Sequence, residues 1–322
     1  MAWYAGAGRS RCETTHDRGN HDGGRHGRPC HRLTMTEARQ RAIGIAFIVA
    51  AVSVFACVDA TAKFLMRDYS VLIVVWARNF FQMVAMIIFL APTMKLDLLR
   101  TKRPGIQLAR GLLLTTSSLF FFTGVASMQL AEASAITFLA PLFIALLAGP
   151  VLRERVPLPS WLAIVAGLIG VQFIIRPGSD VFSWAALLPV MTAICMAIYQ
   201  LLTRHVAHTE RTLTSLFYPS VIGSIILSAL LPFAGPLPVD PWPFALLVTI
   251  GVLGGAGHFL LIRAYQHAPA STVAPFMYAQ LIGALSLGYL LFGDLPDGWA
   301  LLGMGIIVTS GILLVTHQHR SR

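Results

Sequence analysis

The first two apolar stretches of this 322-residue chain contain three charged side chains that could form a local cluster. Asp59 and Lys63 are four residues apart, a spacing that places two side chains on one face of a helix. Arg78 lies in the next apolar stretch, which returns through the same layer. One interpretation is a polar wall that binds a charged or zwitterionic group of a substrate, because charge inside lipid is costly and usually functional. The alternative is a structural ion pair between two helices, with Lys63 extending to the helix end.

A single histidine, His258, lies deep inside an apolar stretch, directly after Gly254-Gly255-Ala256-Gly257. Imidazole changes its charge near physiological pH, so this side chain could sense or carry a proton. The alternative is a buried neutral histidine bonded to a neighbouring carbonyl or hydroxyl group.

Uncharged polar residues and prolines complete the set of candidate substrate-binding residues. Thr137, Tyr199 and Tyr278 offer hydroxyl groups, although most transmembrane Ser and Thr only bond their own helix backbone. Pro141 and Pro275 each remove a backbone hydrogen bond in the middle of an apolar stretch. Because they occupy corresponding stretches in two halves of the chain, they are a pointer to a transport site.

The composition requires lipid around most of the chain. Charged residues make up 12% of the sequence and hydrophobic residues 56%, whereas soluble proteins carry about 25% charged residues. The net charge of +10 is spread over short segments between apolar stretches, which indicates a membrane protein and not a nucleic-acid partner. The sequence has no Gly-rich phosphate loop and no metal-spaced His or Cys group. We therefore predict no cofactor, no metal and no catalytic residue.

Apolar stretches of about 20 residues, the length that crosses a bilayer, follow one another from residue 42 onwards. Only helices and closed barrels satisfy their backbone polar groups in lipid. The pattern predicts an all-α integral membrane protein with ten transmembrane helices. The predicted spans are 42–64, 70–90, 106–127, 130–150, 160–176, 182–204, 213–233, 242–264, 270–292 and 297–316.

The sequence repeats itself after about 137 residues. Ala131-Glu-Ala-Ser134 is matched by Ala268-Pro-Ala-Ser271, and Trp161 is matched by Trp299 at nearly the same shift. Internal repeats of this kind indicate duplicated architecture. Five helices per half is an odd number, so the second half enters the membrane from the opposite side and the two halves form an inverted repeat.

The chain therefore divides into two repeats with short ends. We expect a disordered tail over residues 1–40, a first repeat over 41–178, a second over 179–316 and a cytoplasmic tail over 317–322. Residues 1–34 are rich in Gly, Arg and His and lack apolar periodicity. We expect Met35 to be the physiological start, with residues 1–34 not translated.

Small residues recur at close spacing on the fifth and tenth predicted helices. Such faces allow helices to approach closely, either within the molecule or in a homodimer. They consist of Ala163, Ala166, Gly167 and Gly170 on the fifth helix and Gly303, Gly305 and Gly311 on the tenth.

Lys and Arg placement predicts the orientation in the membrane. Basic residues concentrate at 95–103, 153–155 and 204–211, all on one side, whereas Lys63, Arg67 and Arg176 lie on the other. We expect a multi-pass protein of the inner (plasma) membrane with both termini in the cytoplasm.

These features resemble the drug/metabolite transporter superfamily, in particular ten-helix permeases built from two EamA domains. The resemblance covers about residues 41–316 and implies a central cavity between the halves, reached alternately from either side. Members move amino acids, nucleotide-linked compounds and vitamins, and some are assigned to S-adenosylmethionine or riboflavin uptake. The matching residues are Asp59-Ala-Thr-Ala-Lys63, Arg78, Ala131 to Leu142, Arg153-Glu154-Arg155, His258, Ala268-Pro-Ala-Ser271, Ala274-Pro-Phe276, Tyr278 and Phe292-Gly-Asp-Leu-Pro296.

We accordingly predict a secondary transporter, not an enzyme, that moves a small organic metabolite by alternating access. The expected translocation residues are Asp59, Arg78, Thr137, Pro141, Tyr199, His258, Pro275 and Tyr278. Two other classes stay open: a lipid-modifying membrane enzyme, which needs clustered acids or histidines near one membrane face, and a channel-like module, which needs no inverted halves.

Overall fold

The computed structural model describes residues 35–94, 100–152, 158–176, 184–206, 209–210, 212–268 and 270–320. Within these ranges all regular structure is helical and no strand occurs. The predicted tail over residues 1–34 lies outside the described residues. Residues 35–40 and 317–320, which composition assigned to tails, belong to the first and last helices.

The first half begins with a long apolar helix and continues with four further crossings. The third crossing starts with a proline at its first position, where the missing N–H has no intrahelical partner in any case. The helices of this half are α1 (Met35–Leu65), α2 (Val71–Met94), α3 (Pro104–Ser127), α4 (Leu130–Thr137), α5 (Ala140–Leu152) and α6 (Leu158–Ile175).

The second half has the same order of crossings. Gly293 ends the ninth crossing in the left-handed conformation (φ 73°) that closes many helices. The elements of this half are a 3-10 turn (Trp184–Ala186), α7 (Leu187–Val206), α8 (Thr212–Leu230), a 3-10 turn (Leu231–Phe233), α9 (Pro241–His267), α10 (Ala270–Val273), a 3-10 segment (Ala274–Tyr278), α11 (Ala279–Phe292) and α12 (Gly298–Arg320).

The helices confirm the predicted ten-helix membrane fold. Eight segments of the described chain are long and apolar enough to cross a membrane, and two shorter apolar helices, Trp161–Ile175 and Gly298–Leu314, complete the set. Large apolar side chains such as Ile225, Ile282 and Leu290 are more than 60% exposed. A surface of this kind requires lipid as its solvent.

Two crossings are broken at the predicted prolines. A proline ring clashes with the carbonyl group four residues earlier, which for Pro141 is that of Thr137, and α4 ends at Thr137. A turn at Phe138 and Leu139 follows, and α5 then starts at Ala140. In the second half, Pro275 lies in the first turn of the 3-10 segment between α10 and α11. The breaks therefore occur in corresponding crossings, as an inverted repeat requires.

Contacts between the halves follow the same two-fold relation. α1 packs against α9 as α7 packs against α3, and α2 packs against α9 as α8 packs against α3. Likewise, α1 contacts α11 as α7 contacts α5. The crossings that correspond to each other, α2 with α8, α4 with α11 and α6 with α12, also meet directly. The two five-helix repeats are thus interleaved, and each crossing near the centre is covered mainly by the other half.

The small-residue faces of α6 and α12 meet within the chain. A Cβ atom added at Gly170 would lie 2.8 Å from the carbonyl oxygen of Gly303, and one added at Gly303 would overlap the carbonyl oxygen of Gly170. Glycine at both positions therefore allows the two backbones to touch. These two glycines serve contact between the repeats.

Candidate functional site

Asp59 joins the two halves inside the membrane-spanning region. Its side chain is 6% exposed, and one carboxylate oxygen accepts a hydrogen bond from the Gln280 side-chain amide at 3.1 Å. Asp59 lies on α1 of the first repeat, and Gln280 lies on α11, directly after the break in the ninth crossing. The carboxylate is therefore placed beside the broken helix.

Arg78 lies on α2, close enough to Asp59 for their charges to interact. One terminal nitrogen donates to Ser118 Oγ on α3 at 3.2 Å, and the guanidinium group lies 5.5 Å from the centre of the Phe122 ring. The buried Nε has no hydrogen-bond partner among the described residues. A buried donor without a partner is rare in a folded protein, which makes this atom a candidate contact for a polar ligand.

His258 is the third member of this group. It lies on α9 within electrostatic range of Arg78, and its ring packs edge-on against Phe55, with ring centres 5.0 Å apart. A Cβ atom at Gly254 would lie 3.3 Å from Gln82 Oε1 and 3.9 Å from Arg78 Nε. The glycines that precede His258 thus leave space for polar side chains of α2.

Lys63 pairs outside the central group, which agrees with the alternative in which its side chain extends to the helix end. Its ammonium group lies 2.6 Å from Asp294 Oδ2 and donates to the Met128 carbonyl oxygen at 3.0 Å. Both partners follow the ends of helices, and Lys63 itself lies in the last turn of α1. A lysine side chain near a helix end can extend its charged group to polar partners there, which costs less free energy than burying that group among apolar side chains.

The two broken crossings touch each other. The ring of Phe138, in the turn after α4, lies 4.9 Å from the ring of Tyr278, at the end of the 3-10 segment. The Tyr278 hydroxyl group is buried with no hydrogen-bond partner in the described part of the chain. Thr137 donates to the Ala133 carbonyl oxygen at 3.0 Å, one turn earlier in its own helix. The structure therefore brings the breaks at Pro141 and Pro275 together, whereas the Thr137 hydroxyl is occupied locally.

Tyr199 lies in a separate polar cluster. Its hydroxyl accepts a hydrogen bond from Arg110 at 3.2 Å, and the Arg110 guanidinium group also lies 4.9 Å from the centre of the Tyr199 ring. Arg110 is absent from the predicted translocation residues, because a basic residue near a helix start ordinarily indicates only the orientation of the helix in the membrane. It is 1% exposed. Its position one turn after Gln107, inside α3, is the signal that could have identified it.

Gln82 and Gln280 were also absent from the predicted binding residues. Gln82 is 7% exposed and lies one turn after Arg78 on α2, so the spacing of two polar residues on one face was available in the sequence. Gln280 offered no such signal, because its partner Asp59 is 221 residues away. In the described ranges, no three His, Cys, Asp or Glu side chains are placed to hold a metal ion.

Comparison with known proteins agrees with this architecture. An S-adenosylmethionine uptake transporter of Rickettsia conorii is 27% identical over 265 residues, which cover 82% of this chain and 89% of that protein. A riboflavin transporter of Rhizobium johnstonii is 31% identical over 222 residues, covering 69% and 74% of the two chains. A solved crystal structure superimposes with a TM-score of 0.58 at 15% identity, covering 88% of this chain and 99% of that one, and so shares its fold.

The family comparison covers both halves separately. The EamA-like transporter family matches residues 42–176 and, a second time, residues 183–316. Together the two matches span most of the chain and coincide with the two helical repeats of the fold. This chain therefore belongs to the EamA-like transporter family and is a secondary transporter of a small metabolite.

Proposed function

We propose that the protein carries a metabolite with an amino-acid group, such as S-adenosylmethionine, across the inner membrane, and that Asp59 and Arg78 bind it. The observation that carries this proposal is the buried Arg78 Nε, which has no partner in the described chain, with the Asp59 carboxylate within electrostatic range of the same guanidinium group. The relative from Rickettsia conorii, named for uptake of this compound, aligns over most of its length.

The two side chains offer complementary chemistry. A guanidinium group has five N–H donors, and within the described chain Arg78 makes one hydrogen bond, to Ser118. The remaining donors suit a carboxylate, which arginine binds with two parallel hydrogen bonds. Of the described side chains, the neutral Gln280 alone donates to Asp59, so its charge can balance an ammonium or sulfonium group of the substrate. Buried charges of opposite sign that are not in direct contact are costly, and a zwitterion between them would supply both partners.

Access to this site depends on movement of the two repeats. In our proposal the units over residues 41–178 and 179–316 rock against each other, as in other inverted-repeat transporters. Pro141, Pro275 and Tyr278 lie where the broken crossings meet and would adapt to the substrate. Tyr199 and Thr137 would contribute along the path. His258 would couple the movement to a proton gradient, because it lies beside Arg78 on a helix of the other repeat. The distribution of Lys and Arg supports cytoplasmic termini.

Riboflavin is a second candidate substrate. The Phe138 and Tyr278 rings pack together with centres 4.9 Å apart, and Gln280 follows Tyr278 by two residues. Aromatic side chains suit a flat, uncharged ring system. The relative from Rhizobium johnstonii bears this substrate in its name. Riboflavin needs neither Asp59 nor Arg78 as a charge partner, so charge-removing variants separate the two candidates.

Uptake into proteoliposomes tests the proposal. We expect saturable uptake of labelled S-adenosylmethionine, weak competition by its decarboxylated analogue, and uptake near background for Arg78→Ala. Arg67→Ala, which removes an exposed arginine at the outer end of α1, is the matched control and should transport normally. Near-normal uptake by Arg78→Ala with intact membrane insertion would remove Arg78 from the site. Uptake of riboflavin alone, unchanged in Arg78→Ala, would favour the second candidate.

An imposed pH gradient tests proton coupling, which His258→Gln should abolish.

A further inference from the structure

We propose that Arg110 is a second anion-binding residue, which receives the carboxylate of the substrate between the Arg78 site and the cytoplasm. This inference rests on the proposed function for the direction of movement, but the anion site itself can be tested without knowing the substrate.

Arg110 is a buried cation that has no acidic partner among the described residues. It is 1% exposed and lies in the second turn of α3. Its three hydrogen bonds go to uncharged side chains: Gln107 Oε1 at 2.5 Å, Thr203 Oγ1 at 3.0 Å and the Tyr199 hydroxyl at 3.2 Å. An arginine that only holds two helices together would ordinarily pair with a carboxylate, since a buried charge is stabilised best by an opposite charge. The three partners of Arg110 are uncharged, so they do not neutralise the guanidinium group.

The guanidinium group also retains donors for a ligand. Of its five N–H groups, three are used by the described residues. Gln107 is held in place by Ser215 on α8, with the Gln107 amide donating at 3.3 Å. The carboxylate at this end of the helix, Glu210, accepts instead from the backbone N–H groups of Lys102 and Arg103. No acidic side chain of the described chain thus competes for Arg110.

Buried polar side chains lie on α3 between Arg110 and the partner of Arg78. Ser118, which accepts the hydrogen bond from Arg78, lies eight residues after Arg110, or about 12 Å along the helix axis. Buried Thr115 and Ser117 lie between them. A hypothetical Cβ at Gly223 would lie 2.9 Å from Thr115 Oγ1 and 2.7 Å from Asn79 Oδ1, so polar groups of α2 and α3 approach each other here. The Thr115 hydroxyl donates to the Gly111 carbonyl oxygen in this conformation. In our proposal a carboxylate that leaves Arg78 passes this polar part of α3 before it reaches Arg110.

The location suits alternating access. Arg110 belongs to the first repeat, while Tyr199 and Thr203 lie on α7 and Ser215 on α8 of the second. Rocking of the repeats would separate these contacts, and a substrate carboxylate would then replace the Tyr199 hydroxyl or the Gln107 amide oxygen. In the conformation described here the α3 and α7 contact closes over Arg110.

Thermal unfolding of the purified full chain tests the inference. The apparent unfolding temperature is measured at increasing glutamate concentration, because a ligand of the folded state raises this temperature. Glutamine, chloride and phosphate at equal ionic strength serve as comparisons. To remove the first anion site, the background is Arg78→Ala. We expect a saturable rise with glutamate in this background, its loss in Arg78→Ala/Arg110→Gln, and about tenfold weaker binding in Arg78→Ala/Arg110→Lys. Arg103→Gln, exposed at the start of the same helix, is the control that should retain it.

Three results would overturn the site. The first is no glutamate-specific rise in the Arg78→Ala background. The second is an undiminished rise in the Arg110→Gln variant, even if its starting temperature is lower. This result would show that Arg110 only holds the helices together. The third is stabilisation by phosphate but not by glutamate, which would contradict the assigned carboxylate class. Failure of S-adenosylmethionine uptake by the unmodified protein leaves these readouts in place and contradicts only the substrate.

Discussion

The Gln280 side-chain amide lies 3.1 Å from an Asp59 carboxylate oxygen, and this hydrogen bond connects the two repeats within the membrane-spanning helices. Its acceptor lies on an unbroken helix of the first repeat, and its donor follows the break in the ninth crossing. Movement of one repeat against the other changes the environment of the carboxylate. The same group can thus serve in substrate binding and respond to the movement.

The first prediction concerns the charge of Asp59. Asp59→Asn keeps the size of the side chain but removes the counter-charge for an ammonium or sulfonium group. We expect uptake of S-adenosylmethionine by proteoliposomes to fall about tenfold or more, the scale of one lost charge-assisted contact. Asp68→Asn, which changes an exposed carboxylate outside α1, should transport normally. Equal uptake by both variants would exclude Asp59 as the counter-charge.

The second prediction concerns the ion pair between Lys63 and Asp294, whose side chains are 15% and 29% exposed. Removal of one partner leaves the other charge poorly solvated. The loss of unfolding free energy in the double variant should therefore be smaller than the sum of the losses in the two single variants. We expect Lys63→Met and Asp294→Asn each to lower the apparent unfolding temperature, and the double variant to recover part of the loss. A coupling free energy of about 0.5–3 kcal/mol is expected for residues in contact. Strict additivity would show that the pair contributes nothing.

The third prediction concerns the packing of Tyr278 against α12. A Cβ atom at Gly311 would overlap the Tyr278 hydroxyl group, whereas one at Gly305 of the same helix meets no atom within 4 Å. Gly311→Ala must therefore displace the tyrosine, and we expect lower thermal stability and reduced uptake. Gly305→Ala should be neutral or slightly stabilising, because alanine favours helix over glycine by about 1 kcal/mol. Similar behaviour of both variants would contradict the contact.

The fourth prediction concerns acid pH at the start of α12, outside the membrane-spanning segments. The Arg176 guanidinium group donates to Asp297, and the Ala300 backbone N–H donates to it at 2.9 Å. Both hydrogen bonds favour the carboxylate and hold the pKa of Asp297 below its ordinary value. A depressed pKa in the folded state means that this stabilisation is complete above the unfolded-state pKa, about 3.9, and is lost as pH falls through the folded-state value.

We therefore expect the difference in apparent unfolding temperature between the unmodified protein and Asp297→Asn to be constant from neutral pH to about pH 5 and to shrink below about pH 4. Asp240→Asn provides the matched control, because Asp240 precedes α9 but makes no side-chain capping bond. A difference that does not change with pH would contradict the role of the Asp297 charge.

Much of the fold follows from local properties of the sequence. The length and polarity of each apolar stretch determine where the chain crosses lipid, and these are read without knowledge of neighbours. The breaks at Pro141 and Pro275 are equally local, because the ring of proline excludes the carbonyl group one turn before it. The internal match of Ala131-Glu-Ala-Ser134 with Ala268-Pro-Ala-Ser271 adds the two-fold relation between the halves.

The partners of the charged and polar side chains depended on the tertiary structure. Lys63 pairs with Asp294, 231 residues away, and not with Asp59 on its own helix. Arg110 is buried against Tyr199 because α3 and α7 pack together, and this separates Tyr199 from the central group. The spacing of residues along a helix indicates which side chains share a face, but it does not indicate which neighbouring helix covers that face. The sequence by itself therefore determined the crossings, their breaks and their repetition, whereas helix packing decided which polar groups meet.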